Sequence, residues 1–143
     1  MSHSIAHGPF DVTLAPQALS TVAQATGIAR MSLDKVFHGD LQGTSQGEML
    51  AFRSAVSGSA GYVAMERVTG SLHGRAGSFV LQHSSSMAQG AQQQSIRVVP
   101  GSGNGELLGL AGNLTVILTE GRHEYHFEYS LPSPAPASSG AST

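Results

Sequence analysis

The stretch His123-Glu124-Tyr125-His126-Phe127-Glu128-Tyr129-Ser130-Leu131 sorts into two rows with a period of two. His123, Tyr125, Phe127, Tyr129 and Leu131 make one row, and Glu124, His126, Glu128 and Ser130 make the other. Successive side chains of a strand point to opposite faces, so the pattern predicts a half-buried β-strand, aromatic row inward and charged row in water.

The same alternation recurs upstream. Phe10, Val12 and Leu14 oppose Asp11 and Thr13 in a strand that ends at Pro16. The Ala/Gln/Ser/Thr-rich segment 15–26 reads as a short helix or as a loop with one helical turn. From Ile28 to His38, Met31, Leu33, Lys35 and Phe37 face away from Ser32, Asp34, Val36 and His38, and Gly39-Asp40 turns the chain. Leu41 to Phe52 carries Gly43 and Gly47 on a single face, as expected where a strand bends or lets a neighbouring backbone approach. After the loop Ser54 to Ser59, Gly61 to Val68 forms another strand, with Tyr62, Ala64, Glu66 and Val68 on one face and Thr69-Gly70-Ser71 as its stop. Arg75 to His83 follows, then a polar connector from Ser84 to Gln93, then Ser95 to Val99. Pro100 to Gly105 is turn material, continued by an apolar loop or helical turn from Glu106 to Ala111. Asn113 to Thr119 and the stretch quoted first complete eight strand candidates.

Eight strands joined mostly by short turns predict an all-β fold, either a sandwich or a closed antiparallel barrel with glycine-rich turns. Closure is preferred, because it removes edge strands that would otherwise need charged residues to protect them, and this chain has few. Of its 143 residues 40% are hydrophobic and only 11% charged, which fits one globular domain with a sizeable core. Eighteen glycines spread without a Gly-X-Y period agree with many turns and kinked strands. The expected organisation is a flexible N-terminus over residues 1–7, a barrel over 8–131 and a disordered Pro/Ser/Ala tail over 132–143.

Composition also bounds the chemistry. Seven Lys plus Arg against nine Asp plus Glu give a net charge of -2, which lacks the electrostatic footprint of a nucleic-acid binder. The absence of cysteine excludes disulfides, a thiolate nucleophile and any metal site that needs sulfur. No segment approaches the ~20 consecutive apolar residues of a membrane-spanning helix, and Met1-Ser2-His3-Ser4 does not begin a charged-then-apolar leader, so a cytoplasmic protein is expected. No Gly-x-Ser-x-Gly elbow, P-loop or dinucleotide fingerprint occurs.

The segments Glu66-Arg67-Val68-Thr69-Gly70-Ser71-Leu72-His73-Gly74-Arg75-Ala76-Gly77-Ser78-Phe79-Val80-Leu81-Gln82-His83 and Val98-Val99-Pro100-Gly101-Ser102-Gly103-Asn104-Gly105-Glu106-Leu107, with Gly39-Asp40-Leu41-Gln42-Gly43, resemble the signature of a bacterial family of uncharacterised proteins with the allene oxide cyclase-like barrel fold. The likeness covers most of residues 8–131 and departs from the family around residues 15–29. It implies the barrel. The cyclases that give the fold its name bind an oxidised fatty acid inside it, but a shared fold does not transmit activity.

In an up-and-down barrel, alternate turns gather at opposite ends. The turns at Gly39, Gly70 and Gly101 bring together His38, Asp40, Glu66, Arg67, His73, Arg75 and Glu106, whereas those after Phe52, His83 and Glu120 gather Arg53, His83, Arg122 and His123. The first end carries more ionisable groups and is the expected mouth. There, Glu66 beside Tyr62 and Ala64 reads as a carboxylate with a raised pKa, suited to general acid or base work. The competing reading pairs it with Arg75 across the neighbouring strand. His38, Asp40, Tyr62, Arg67, His73 and Arg75 are the candidate ligand contacts around it. Tyr125, Phe127 and Tyr129 are either core or a ligand wall, and point inward in both cases. His38, Asp40 and His73 have spacing a metal could use, but the His-x-His plus Glu pattern of cupin sites is missing. No metal and no cofactor are expected.

Three functions follow from different classes. The barrel encloses a small hydrophobic or amphipathic molecule; or it is a cofactor-free cyclase or isomerase of such a molecule, with Glu66 polarising the substrate; or its interior is filled and its outer face makes a homo-oligomer.

Overall fold

The computed structural model describes residues 2–132. The strands among them are β1 (Ser2–Gln17), β2 (Ala29–Phe37), β3 (Leu41–Arg53), β4 (Ala60–Leu72), β5 (Arg75–Ala88), β6 (Ala91–Val98), the two-residue β7 (Asn104–Gly105), β8 (Ala111–Thr119) and β9 (Arg122–Leu131). Neighbours are antiparallel throughout, in the ring order β1-β2-β3-β4-β5-β6-β8-β9, and β9 returns to β1. Eight strands therefore close the barrel, with β7 appended near the start of β5 at Gly77 and Ser78. The all-β closed barrel expected from the alternating rows is the fold observed.

Several boundaries differ from the sequence reading. β1 begins at Ser2 because residues 2–10 pair with β9 before residues 10–17 pair with β2, so the segment expected to be flexible is part of the ladder. β4 runs on to Leu72 and β5 runs on to Ala88, replacing the stop at Gly70 and the polar connector. The reason lies in the turns. His73-Gly74 and Gln89-Gly90 both have positive φ at each residue, the two-residue hairpin geometry that leaves no loop between strands. Segment 15–26 contains one 3-10 turn, Thr21–Ala23. The tail expected beyond Pro132 lies outside the described residues.

The barrel interior is filled at one end and hollow at the other. At the end of the Gly39 and His73-Gly74 turns, Leu41, Leu72, Phe79, Phe127 and Tyr129 are buried, and the loop between β6 and β8 adds Leu107 and Leu110. Phe79 stacks on Phe127 at 5.8 Å between centroids. The Tyr125 hydroxyl donates to the His38 carbonyl at 2.6 Å and accepts from the Leu41 amide at 2.8 Å, tying β9 to the β2–β3 turn. The weakest seam joins β6 to β8 by one residue pair, Arg97 with Asn113, and the Gln94 side chain reinforces it by accepting the Val116 N–H at 3.1 Å.

Close approach of β3 to β4 requires Gly47, where a Cβ would lie 1.9 Å from the Met65 carbonyl oxygen. Gly61 on β4 has ordinary space, its nearest neighbour being the Ser85 carbonyl at 3.7 Å. Urea denaturation is expected to show Gly47→Ala destabilised by about 1–3 kcal/mol or more, and Gly61→Ala changed by less than about 0.5 kcal/mol.

Candidate functional site

The inward row of β2 brings Lys35 to the middle of the barrel, between Leu33 and Phe37. β4 contributes Glu66 from the row of Ala64 and Val68, and β5 contributes His83 from the row of Phe79 and Leu81. Ser45 arrives on β3 between Gly43 and Gly47. All four are buried, and Glu66 is only 1% exposed.

Glu66 is the hub. Lys35 Nζ donates to its Oε2 at 2.8 Å, His83 Nε2 bonds to the same oxygen, and the Ser45 hydroxyl donates to Oε1. The Lys35 ammonium also sits 5.2 Å from the centroid of the Phe10 ring and 5.9 Å from that of Phe37, inside cation–π range. Burial pushes the Glu66 carboxyl up, but the hydrogen bond from His83 and the charge of Lys35 outweigh it and hold the pKa at about 2. This reverses the raised value expected from the sequence, because two cation-forming neighbours stand where an apolar rim was anticipated. Neither is Arg75, which is exposed on the outer surface.

Above this cluster lies a hollow of about 260 Å³, lined by Val12, Leu14, Leu33, Met49, Ala64 and Val116 with Phe10, Lys35, Tyr62, His83, Gln94 and His123. Glu66 does not reach it. Lys35 and His83 cap the carboxylate, so the hollow meets hydrogen-bond donors while the negative charge stays beneath them. Burial raises the pKa of Tyr62, which keeps its hydroxyl protonated and able to donate. The hollow continues toward the end where β3 meets β4: a second space of about 230 Å³ shares Met49 and Tyr62 and reaches Phe52 and Met87. The open end is thus opposite to the mouth expected from sequence, where Leu41, Leu72, Leu107 and Leu110 occupy the bore.

The remaining candidates lie around that filled end or within it. Asp40 accepts the His7 amide at 3.0 Å and stands 3.6 Å from His73 Nε2, and these contacts, the amide first, lower its pKa. His73 Nδ1 bonds the Tyr129 hydroxyl. His38 turns outward to Asp11 at 3.1 Å, away from Asp40 and His73. Arg67 lies on the outer face of β4, within 3.5 Å of the Ser78 hydroxyl. Tyr125, Phe127 and Tyr129 are buried in the packed core and do not line the hollow. Of the ten expected site residues, the structure places Glu66 and Tyr62 together, with Lys35, His83 and Ser45 added. Lys35 and His83 each stood in an otherwise apolar inward row, a signal visible in the alternation itself.

A larger groove of about 960 Å³ runs between segment 19–28 and strands β2 to β5, and Ala64 and His83 line it as well as the hollow. Its charged groups, Arg30 and Glu48, satisfy each other through two bonds of 2.7 Å. Among the described residues, no cluster of three or more metal-ligating side chains occurs and no helix is long and apolar enough to cross a membrane.

Residues 6–129 match the family described as protein of unknown function (DUF3224). The chain belongs to the DUF3224 family. Its structure is similar to the crystal structure of a DUF3224 protein with unknown function from Shewanella oneidensis MR-1, with 44% sequence identity, a TM-score of 0.86, and coverage of 93% of this chain and all of that one. No curated protein matches the DUF3224 chain studied.

A carboxyl whose folded pKa of about 2 lies below its ordinary 4.5 stabilises the fold by about 3 kcal/mol above pH 4.5, and that contribution disappears as pH falls toward 2. Urea midpoints measured across that window are expected to show the wild type losing its advantage over Glu66→Gln as the solution is acidified. At pH 7, Lys35→Met is expected to cost about 3–5 kcal/mol, because it leaves the buried carboxylate without its cation.

Proposed function

We propose that the barrel binds a small amphipathic molecule in its bore, with an oxygen acceptor or anionic head against Lys35 and an apolar body along Leu14, Leu33, Met49 and Val116. The observation that carries this reading is the polarity of the hollow: ammonium, imidazole and phenol groups line it, and the carboxylate that neutralises them is hidden below. Lys35 has three ammonium protons and gives one to Glu66. The others are available to a ligand.

Stability alone does not require such a cluster, since an apolar filling could serve it as well. Buried ion pairs replaced by well-packed apolar residues are often neutral or stabilising, and eight-stranded barrels can be filled completely by side chains. Charge held in a hollow bore therefore favours use over architecture. The volume, about 260 Å³, falls just below the usual range for drug-sized ligands and suits a short molecule.

Calorimetric titration with hexanoate tests the reading, with hexane-1-sulfonate and hexylamine as comparisons. Saturable binding of the two anions and none of the amine is expected, with Val116→Trp, which fills the hollow from β8, weakening it at least tenfold. Equal binding of the amine, or no effect of the blocking variant, would contradict it.

A further inference from the structure

Glu66 is ionised, and an ionised carboxylate only accepts hydrogen bonds. The nitrogen of His83 that contacts it, Nε2, must therefore carry a proton. In neutral imidazole that leaves Nδ1 with a lone pair and no proton. Among the described residues no donor bonds to Nδ1, and no buried side-chain polar atom lacks a partner, so Nδ1 is reachable rather than sealed. His83 lines both the hollow and the groove beside segment 19–28, and shares its carboxylate oxygen with the Lys35 ammonium, which lines the hollow.

We infer that His83 is a general base and acid that shifts a double bond in a small unsaturated ketone bound in the bore. This rests on the bore as a ligand site and adds a reaction to it. The substrate's carbonyl oxygen accepts from Lys35 Nζ. A C–H bond between the carbonyl and an isolated C=C breaks, its proton goes to Nδ1, and its electron pair forms the dienolate, whose oxygen takes a second hydrogen bond from Tyr62 or Lys35. The proton then leaves Nδ1 for the far carbon of the former double bond, and the oxygen's charge returns as C=O. The product is the conjugated isomer. Atoms and electrons balance with no co-reactant.

Each protein group has a separate task. Glu66 is a positioning residue: it fixes the tautomer and stabilises the imidazolium formed midway. Lys35 supplies positive charge where oxygen becomes negative. Glu66 and Tyr62 on β4 neighbour His83, Glu66 through its hydrogen bond and Tyr62 with ring centroids 6.5 Å apart.

The experiment follows conversion of cyclohex-3-enone to cyclohex-2-enone by the absorbance of the conjugated product, in wild type, His83→Gln and Glu66→Gln, with hexanoate binding measured on the same samples. Positioned bases contribute about 10²–10⁴-fold. Wild type is expected to accelerate conversion above buffer, His83→Gln to lose at least about 100-fold while still binding hexanoate, and Glu66→Gln to lower kcat more than it raises KM. A wild type that binds hexanoate but converts no faster than buffer would overturn the acid–base role and leave the binding site standing. Acceleration that survives in His83→Gln would overturn the assignment of the base. Neither binding nor conversion would remove the bore as a site altogether.

Discussion

A carboxylate sealed inside an apolar barrel is the costliest group in this molecule, and the neighbouring structure answers it. Transfer of an unpaired ion into such surroundings would drive it to take up a proton. Lys35, His83 and Ser45 supply three donors from three other strands, so Glu66 keeps its charge and ties β2, β3, β4 and β5 together at mid-height. The bond from His83 also fixes which of its nitrogens carries the proton. One electrostatic constraint thus sets the register of the ionisable groups and their chemical state together.

The two ends of the barrel divide the work. On one side of the cluster, Phe79, Phe127, Tyr129 and the leucines of the loop between β6 and β8 pack into a dense plug, and Tyr125 pins that plug to the β2–β3 turn. On the other side the inward residues are shorter or more mobile in shape, including Met49, Val116 and Ala64, and they leave space. A rigid plug beneath a hollow holds the buried ionisable groups steady.

Much of this was legible in the chain. The period-two rows from Phe10 to Leu131 carried the barrel, and the inward placement of Tyr125, Phe127 and Glu66 came from the same alternation. The mouth was placed at the wrong end, for a physical reason: exposed ionisable residues such as His38, Asp40 and Arg75 crowd that rim, but crowding at a rim says nothing about what fills the bore below. Leu107 and Leu110 fill it, from a glycine-rich loop whose inward fold depends on tertiary contacts. Pairing Glu66 with Arg75 followed from assuming cross-strand neighbours, whereas Lys35 reaches it across the barrel interior from β2. A lone lysine among Met31, Leu33 and Phe37 was the clue that pointed to the centre.

The central claim is that Glu66 remains charged in the bore and dictates the tautomer of His83. Nitrogen-15 NMR of histidine-labelled protein at neutral pH reads this directly, through long-range couplings between each ring nitrogen and the ring carbon-bound protons. The account requires the His83 signals to show a protonated Nε2 and a bare Nδ1, with the pattern lost in Glu66→Gln. A bare Nε2 in the wild type would contradict it.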